Sequence, residues 1–221
     1  MQLHWINRDG NPRLLVFVLG WAADYRLVKH IRPEGFDILT VYDVREIEPL
    51  SLPDYEHKTL LAWSFGIWAA EQIFRTDGPS PVSGPGYARS FDRSIALCGS
   101  PLPMDDRYGL GAKRAALTLR SLPGGIDGFY RASMGTSYDR FASVLPLRDP
   151  DDLRQELSTL IELASVPYTP QIEWDDIIIG EQDTIFPQAN LLDYWGGRAV
   201  KMALPHYPFA DPDTVERWIS R

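Results

Sequence analysis

A serine between small residues is the position of this chain best suited to chemistry. Ser64 lies in Leu60-Leu61-Ala62-Trp63-Ser64-Phe65-Gly66, where an apolar strand pattern meets an apolar helix pattern. Strand, tight turn and helix in this order are typical of a nucleophile elbow, whose turn exposes the serine hydroxyl. Small residues at 62 and 66 would let the strand and helix backbones approach. The pattern predicts Ser64 as a nucleophile; a buried serine that caps a helix is the alternative.

A serine hydroxyl needs a base to remove its proton and a third group to orient that base. Behind such an elbow, the acid and then the histidine follow in the chain. His206 is the one histidine after Ser64, and it follows the last apolar run, where catalytic groups of parallel sheets gather. Asp183, after the preceding run, is the preferred acid, and Glu181 is the alternative. Alternatively, Asp183 has no catalytic role and only caps a helix or a turn.

An anion that develops on a carbonyl oxygen needs two backbone N–H donors. We expect one from Phe65, the residue after the serine, and the other from Trp21, in the loop at residues 20–24. The Trp21 indole either packs in the core or, with Trp63 and Phe65, walls an apolar slot for an acyl chain.

The elements that must position these groups are apolar runs alternating with helical patterns. Their continuous hydrophobicity is typical of parallel strands covered by helices on both faces. The runs are 14–19, 38–42, 59–63, 95–98, 177–179 and 199–204. Helices are expected at about 24–32, 65–75, 187–195 and 211–220. This alternation predicts an α/β fold of the α/β-hydrolase type, with a mostly parallel central sheet flanked by helices.

Three further segments complete the predicted organisation. Residues 3–6 are predicted as an edge strand antiparallel to the next strand, with a turn at Asp9-Gly10-Asn11. Residues 76–92, rich in Pro, Gly and Ser, are predicted as a surface loop. Residues 101–170 hold short helical patterns and are predicted as a helical cap over the site. Residues 1–100 and 171–221 would then form the core of a single domain.

Composition narrows the function classes. A net charge of −8 argues against nucleic acid as a partner, and no cluster of His and Cys or phosphate loop indicates a metal or cofactor. The single cysteine, Cys98, is predicted to be an inert core thiol. No leader or membrane-spanning stretch is recognised, so the expectation is a cytoplasmic monomer without a membrane partner.

Four motifs together resemble the BioG type of pimeloyl-carrier-protein methyl ester esterase, short α/β-hydrolases of biotin synthesis. They are Gly20-Trp21, Ala62-Trp63-Ser64-Phe65-Gly66, Gly180-Glu181-Gln182-Asp183-Thr184-Ile185-Phe186-Pro187 and Pro205-His206-Tyr207-Pro208-Phe209. The resemblance implies hydrolysis of a methyl ester at the end of a pimeloyl chain carried by acyl carrier protein. It also implies an acyl-enzyme on the serine and no cofactor.

Charge in the predicted cap bears on this partner. Residues 103–148 carry seven basic and four acidic residues, a net charge of +3 against −11 for the rest of the chain. A basic surface would steer an acidic carrier protein toward the site. The candidate docking residues are Lys113, Arg114, Arg120, Arg131 and Arg140. The alternative for these charges is that the arginines pair with nearby acidic residues.

Two other functions are also open from the sequence. The chain could be a general small-molecule carboxylesterase or thioesterase, or a non-catalytic binding protein.

Overall fold

The structure, a computed structural model, describes residues 1–74 and 91–220. Within these ranges seven strands form one sheet in the spatial order β1-β3-β2-β4-β5-β6-β7. β1 is antiparallel to its neighbour, and the other neighbouring pairs are parallel. The strands are β1 Gln2–Asn7, β2 Arg13–Val18, β3 Phe36–Tyr42, β4 His57–Trp63, β5 Arg93–Leu97, β6 Asp176–Gly180 and β7 Ala199–Met202. The predicted mostly parallel sheet is confirmed.

Helices cover the sheet, as the continuous apolar runs predicted. α1 (Gly66–Ile73) packs against β2 and β4, and α6 (Gln188–Trp195) packs against β6. Complete burial of the apolar residues from Leu14 to Val18 in β2 follows from cover on both faces. The helices outside the β5–β6 connection are α1 Gly66–Ile73, α6 Gln188–Trp195 and α7 Pro212–Ile219.

The N-terminal strand forms, but its predicted partner is wrong. β1 pairs with β3, because β2 already has β3 on one side and β4 on the other. The chain bends at the predicted turn and is held there by the buried Asp37 carboxylate. This carboxylate accepts hydrogen bonds from the backbone N–H groups of Asp9, Gly10 and Asn11 at 2.9, 3.1 and 3.2 Å.

The predicted α-helix at about 24–32 is also wrong. A 3-10 turn, Tyr25–Leu27, forms instead, with hydrogen bonds that span three residues. The Val28 N–H donates to the Tyr25 carbonyl at 3.1 Å, and the Ile31 N–H donates to the Val28 carbonyl at 3.0 Å. Val28 and Ile31 are completely buried. The apolar spacing therefore indicated that these residues are buried, but the segment that buries them is a tight turn and not an α-helix.

The long connection between β5 and β6 is helical and contains no strand, all its residues being described. Its helices are α2 Ala112–Ser121, α3 Ile126–Met134, α4 Tyr138–Phe141 and α5 Pro150–Leu163. We call residues 101–170 the helical segment; their separation from the core as a cap stays a prediction. The predicted loop 76–92 lies outside the described residues as far as position 90.

Candidate active site

Ser64 lies at the sharp turn between β4 and α1. Its φ of +61° is in the left-handed region, a strained backbone conformation for a residue with a side chain. The Ser64 N–H donates to the Leu97 carbonyl of β5 at 2.9 Å, which fixes the turn to the sheet. The expected need for a small residue at 66 is confirmed, since a Cβ on Gly66 would lie 2.1 Å from the Val18 carbonyl oxygen.

The three residues predicted as a triad meet at the carboxyl edge of the sheet. His206 Nε2 lies 2.9 Å from the Ser64 hydroxyl oxygen, and His206 Nδ1 lies 2.8 Å from Asp183 Oδ2. His206 is 1% exposed and the Asp183 side chain is inaccessible to solvent. Their polar atoms therefore face each other in an environment where hydrogen bonds are stronger than in water.

Asp183 occupies the position next to the histidine, and Glu181 does not. The second oxygen of Asp183 accepts hydrogen bonds from the Ile185 and Phe186 N–H groups at 2.8 and 3.0 Å. The carboxylate thus caps the turn after β6 and also faces His206, so the two roles considered for Asp183 are compatible. Glu181 is exposed, and its backbone N–H bonds to the Met202 carbonyl of β7 at 2.8 Å.

Two aromatic residues, Trp63 and Phe186, contact His206. The Trp63 indole N–H donates to the His206 carbonyl at 2.7 Å, and the Phe186 ring stacks on the imidazole with centroids 5.7 Å apart. Of the residues offered as a wall for the acyl slot, Trp21 and Phe65 line the cavity beside Ser64 and Trp63 does not; the Trp63 side chain contacts His206 instead. Sequence reasoning missed this role, although the place of Trp63 at the end of an apolar strand was a signal for burial.

A cavity of about 240 Å³ opens beside the Ser64 hydroxyl. Its wall is mostly apolar and includes Trp21, Phe65, Leu110, Phe129, Leu157 and Ile185. Leu110, Phe129 and Leu157 belong to the helical segment, which therefore supplies part of the cavity wall. Such a cavity can hold an aliphatic chain with its reacting end at Ser64.

The two predicted oxyanion donors both border this cavity. Trp21 and Phe65 line it beside Ser64. A Cβ on Gly20 would lie 2.8 Å from the Ser64 Cβ, so the loop after β2 runs directly against the serine. The Trp21 indole donates to the Leu153 carbonyl of α5 at 2.8 Å and packs edge-on against Phe129. The use of the two backbone N–H groups stays a prediction.

The candidate docking residues separate into different environments. Arg114 borders the cavity and donates to the Ile185 carbonyl at 3.3 Å. Arg131 is paired with Asp127, 2.8 Å away and four positions earlier on α3. The remaining three, Lys113, Arg120 and Arg140, are exposed on α2 and α4.

Cys98 directly follows β5 and is buried. It is 1% exposed, and burial raises the pKa of its thiol well above the ordinary value. The thiol therefore stays protonated, which fits the prediction of a core residue. Among residues 1–74 and 91–220, no group of His, Cys, Asp and Glu is arranged to hold a metal ion. In the same ranges no helix has the length and apolar character to cross a bilayer.

Known proteins match this chain along most of its length. Residues 1–214 match the family described as pimeloyl-ACP methyl esterase BioG. A malonyl-[acyl-carrier protein] O-methyltransferase of Bacteroides fragilis (strain 638R) is 31% identical over 186 residues, covering 82% of this chain and 36% of that protein. The chain thus spans about a third of that relative's length. An uncharacterized protein of Haemophilus influenzae (strain ATCC 51907 / DSM 11121 / KW20 / Rd) is 28% identical over 205 residues, 89% of each.

Solved structures agree with this match. The crystal structure of BioG from Haemophilus influenzae is similar with a TM-score of 0.81 and 27% identity, covering 95% of each chain. The enol-lactonase of Burkholderia xenovorans LB400 gives a TM-score of 0.60 at 15% identity, over 99% of this chain and 96% of that one, a likeness of fold. The α/β-hydrolase fold predicted from the sequence is confirmed, and the chain belongs to the BioG family.

Proposed function

We propose that this protein is a serine esterase that hydrolyses the methyl ester of pimeloyl-acyl-carrier protein in biotin synthesis. The observation that carries the proposal is the position of His206. Its two ring nitrogens lie 2.9 Å from the Ser64 hydroxyl and 2.8 Å from the Asp183 carboxylate. A serine with a base that is itself oriented by an acid is the arrangement that acyl transfer requires.

In the proposed reaction, the Ser64 hydroxyl oxygen attacks the ester carbonyl while His206 Nε2 takes the hydroxyl proton. Asp183 orients the imidazole and stabilises its positive charge. The backbone N–H groups of Trp21 and Phe65 stabilise the oxyanion. Collapse of the intermediate breaks the bond to methoxide, which takes the proton from His206 and leaves as methanol. Water, with its proton taken by His206, then attacks the acyl-serine; the acyl–oxygen bond breaks, His206 returns the proton to the Ser64 oxygen, and a free carboxylate is left.

The substrate proposal rests on the cavity and on the family. The apolar wall beside Ser64 suits the methylene chain of a pimeloyl group. The family description and the name of the Bacteroides fragilis relative both refer to an acyl group on acyl carrier protein. We propose that residues 101–170 act as the cap, and that the exposed bases of α2, Lys113 and Arg120, face the acidic carrier.

The test compares two substrates that differ only in the carrier. Methyl pimeloyl-acyl-carrier protein and the methyl pimeloyl thioester of free pantetheine present the same ester to Ser64. We expect kcat/KM for the carrier-linked ester to be at least about tenfold higher, because surface steering raises association rates. Equal values would contradict the carrier proposal and leave the general carboxylesterase. Absence of Ser64-dependent cleavage of either ester would favour a binding protein.

A further inference from the structure

The loop after β2 is attached to the helical segment at four consecutive residues, which we call the oxyanion loop (residues 21–24). Side chains and backbone of the helical segment supply all four contacts. The Trp21 indole donates to the Leu153 carbonyl at 2.8 Å, and the Asp24 carboxylate accepts from the Leu147 N–H at 3.3 Å. Between them, the carbonyls of residues 22 and 23 accept from Tyr130 and Arg148 at 2.7 and 3.4 Å.

Ala22 is the strained residue of this loop. Its φ is +62°, a left-handed conformation that costs an alanine about 1 kcal/mol or more. Ala22 is completely buried, so water cannot satisfy its carbonyl, and the Tyr130 hydroxyl does so instead. A strained backbone conformation persists where its surroundings fix it, and such residues cluster at functional sites.

The Tyr130 hydroxyl is a hydrogen-bond donor that stays protonated. Tyr130, on α3, is 7% exposed, and burial raises the pKa of its hydroxyl well above the ordinary value. The hydroxyl therefore keeps its proton at neutral pH and can donate to the Ala22 carbonyl. The hydroxyl bonds to the carbonyl of Ala22, the residue after Trp21. On the other side of Trp21, Gly20 lies close to Ser64, so the Trp21 backbone is fixed at both ends.

We propose that Tyr130 is a positioning residue for the oxyanion site: its hydroxyl holds the Ala22 carbonyl and thereby aims the Trp21 N–H at the developing oxyanion. The inference rests on the proposed function, since it assigns a task to a residue outside the triad. Pre-aimed donors stabilise the transition state more than the bound ester, so loss of the anchor should lower kcat and leave KM largely unchanged.

The chain offers a matched control for removal of one tyrosine hydroxyl. Tyr138, on α4, is also buried, and its hydroxyl bonds to the Asp127 side chain and not to the oxyanion loop. Tyr130→Phe and Tyr138→Phe each delete one hydroxyl and keep the ring. A purely structural role for Tyr130 would make the two variants alike in catalysis.

The experiment measures kcat and KM for methyl pimeloyl-acyl-carrier protein, and inhibition by an alkylboronic acid, which forms a tetrahedral anion on a catalytic serine. We expect Tyr130→Phe to lower kcat about tenfold and to weaken boronate binding by the same factor, with KM within about twofold of the wild-type value. Tyr138→Phe should stay within about twofold of wild type in all three. Unchanged kcat in Tyr130→Phe, equal losses in both variants, or a rise in KM alone would overturn the proposal.

A second readout separates this inference from the proposed function. The rate at which a fluorophosphonate labels Ser64 also depends on oxyanion stabilisation but not on the natural ester. If the wild-type protein hydrolyses no ester, the proposed function fails, and the labelling rate still decides this inference. We expect labelling of Tyr130→Phe to be about tenfold slower than that of wild type and of Tyr138→Phe. Equal rates, or a wild-type Ser64 that is not labelled, would overturn it.

Discussion

The sheet edge and the helical segment contribute to the candidate site by different means. At the sheet edge, Ser64, Asp183 and His206 follow the ends of β4, β6 and β7, so the main chain brings them together. The helical segment instead reaches the site through contacts between residues distant in sequence, such as the Tyr130 hydroxyl on the Ala22 carbonyl. The proposed reacting groups are therefore placed by topology, and the cavity beside them is shaped by side-chain packing.

This difference separates two kinds of sensitivity to substitution. A change at the sheet edge leaves the backbone in place and removes a chemical group, so we expect large effects on turnover with little effect on folding. A change in the helical segment alters orientation, charge or packing, so we expect smaller effects that depend on substrate or pH.

Removal of the proposed nucleophile or base should nearly abolish turnover. We expect Ser64→Ala and His206→Ala each to lower kcat by a factor on the order of 10⁵ to 10⁶, because the residues of a triad act as a unit. For the same reason the double variant should be little worse than either single variant. Steady-state hydrolysis of a nitrophenyl ester measures this, and multiplicative losses in the double variant would contradict a shared mechanism.

Replacement of the orienting acid should be severe, and its exposed neighbour provides the control. We expect Asp183→Asn to lower kcat about 10⁴-fold. The amide oxygen can keep the two backbone N–H bonds of the turn, so the amide NH2 faces His206 Nδ1, donates to it and leaves the imidazole in the wrong tautomer. Glu181→Gln should stay within about twofold of wild type, since Glu181 is exposed. The same ester assay measures both variants, and the reverse ranking would make Glu181 the acid.

A buried ion cluster between the helical segment and the core should make stability depend on pH. Glu156 of α5 is completely buried, contacts Arg148 at 2.5 Å and accepts from the Val44 N–H at 3.2 Å, with Asp43 beside the same arginine. Burial raises the pKa of Glu156 from 4.5 to about 7. The folded state therefore holds this proton more tightly than the unfolded chain, and the associated stability is lost as pH rises from about 4.5 to 7.

The prediction for this cluster is a difference between two proteins. Relative to Glu156→Gln, which cannot titrate, the wild-type free energy of unfolding should fall by about 3 kcal/mol between pH 4.5 and pH 7. Denaturant unfolding at a series of pH values measures it. Parallel pH profiles for the two proteins, or a wild-type protein that gains stability relative to Glu156→Gln over this range, would contradict the shifted pKa.

Charge reversal on α2 should affect carrier-linked substrate alone. Lys113→Glu with Arg120→Glu changes exposed residues outside the cavity lining. We expect kcat/KM for the carrier-linked ester to fall about tenfold, with more loss at low salt, and a nitrophenyl ester to be hydrolysed as before. Lys201→Glu with Arg217→Glu makes the same charge change on the core and should have little effect on either substrate. Equal losses on both substrates in the α2 variant would contradict docking there.

The same contrast explains what the sequence could predict. The order of Ser64, Asp183 and His206, each after an apolar run, was sufficient to place them together, because parallel strands end at one edge of a sheet. The partner of β1 and the fold of residues 24–32 were predicted wrongly, since apolar spacing reports burial and not which strand is adjacent or how a tight turn is bonded. Contacts such as Tyr130 with Ala22 join residues distant in sequence, and no periodicity encodes them.

The most direct test of this account is the rate of methanol release from methyl pimeloyl-acyl-carrier protein by the wild-type protein and by Ser64→Ala. The account predicts rapid release by the wild type and a loss on the order of 10⁵-fold or more in the variant, whose fold should be unchanged. Release that persists in Ser64→Ala, or that is absent from the wild type, would contradict the assignment of Ser64 as the nucleophile of a carrier-protein methyl esterase.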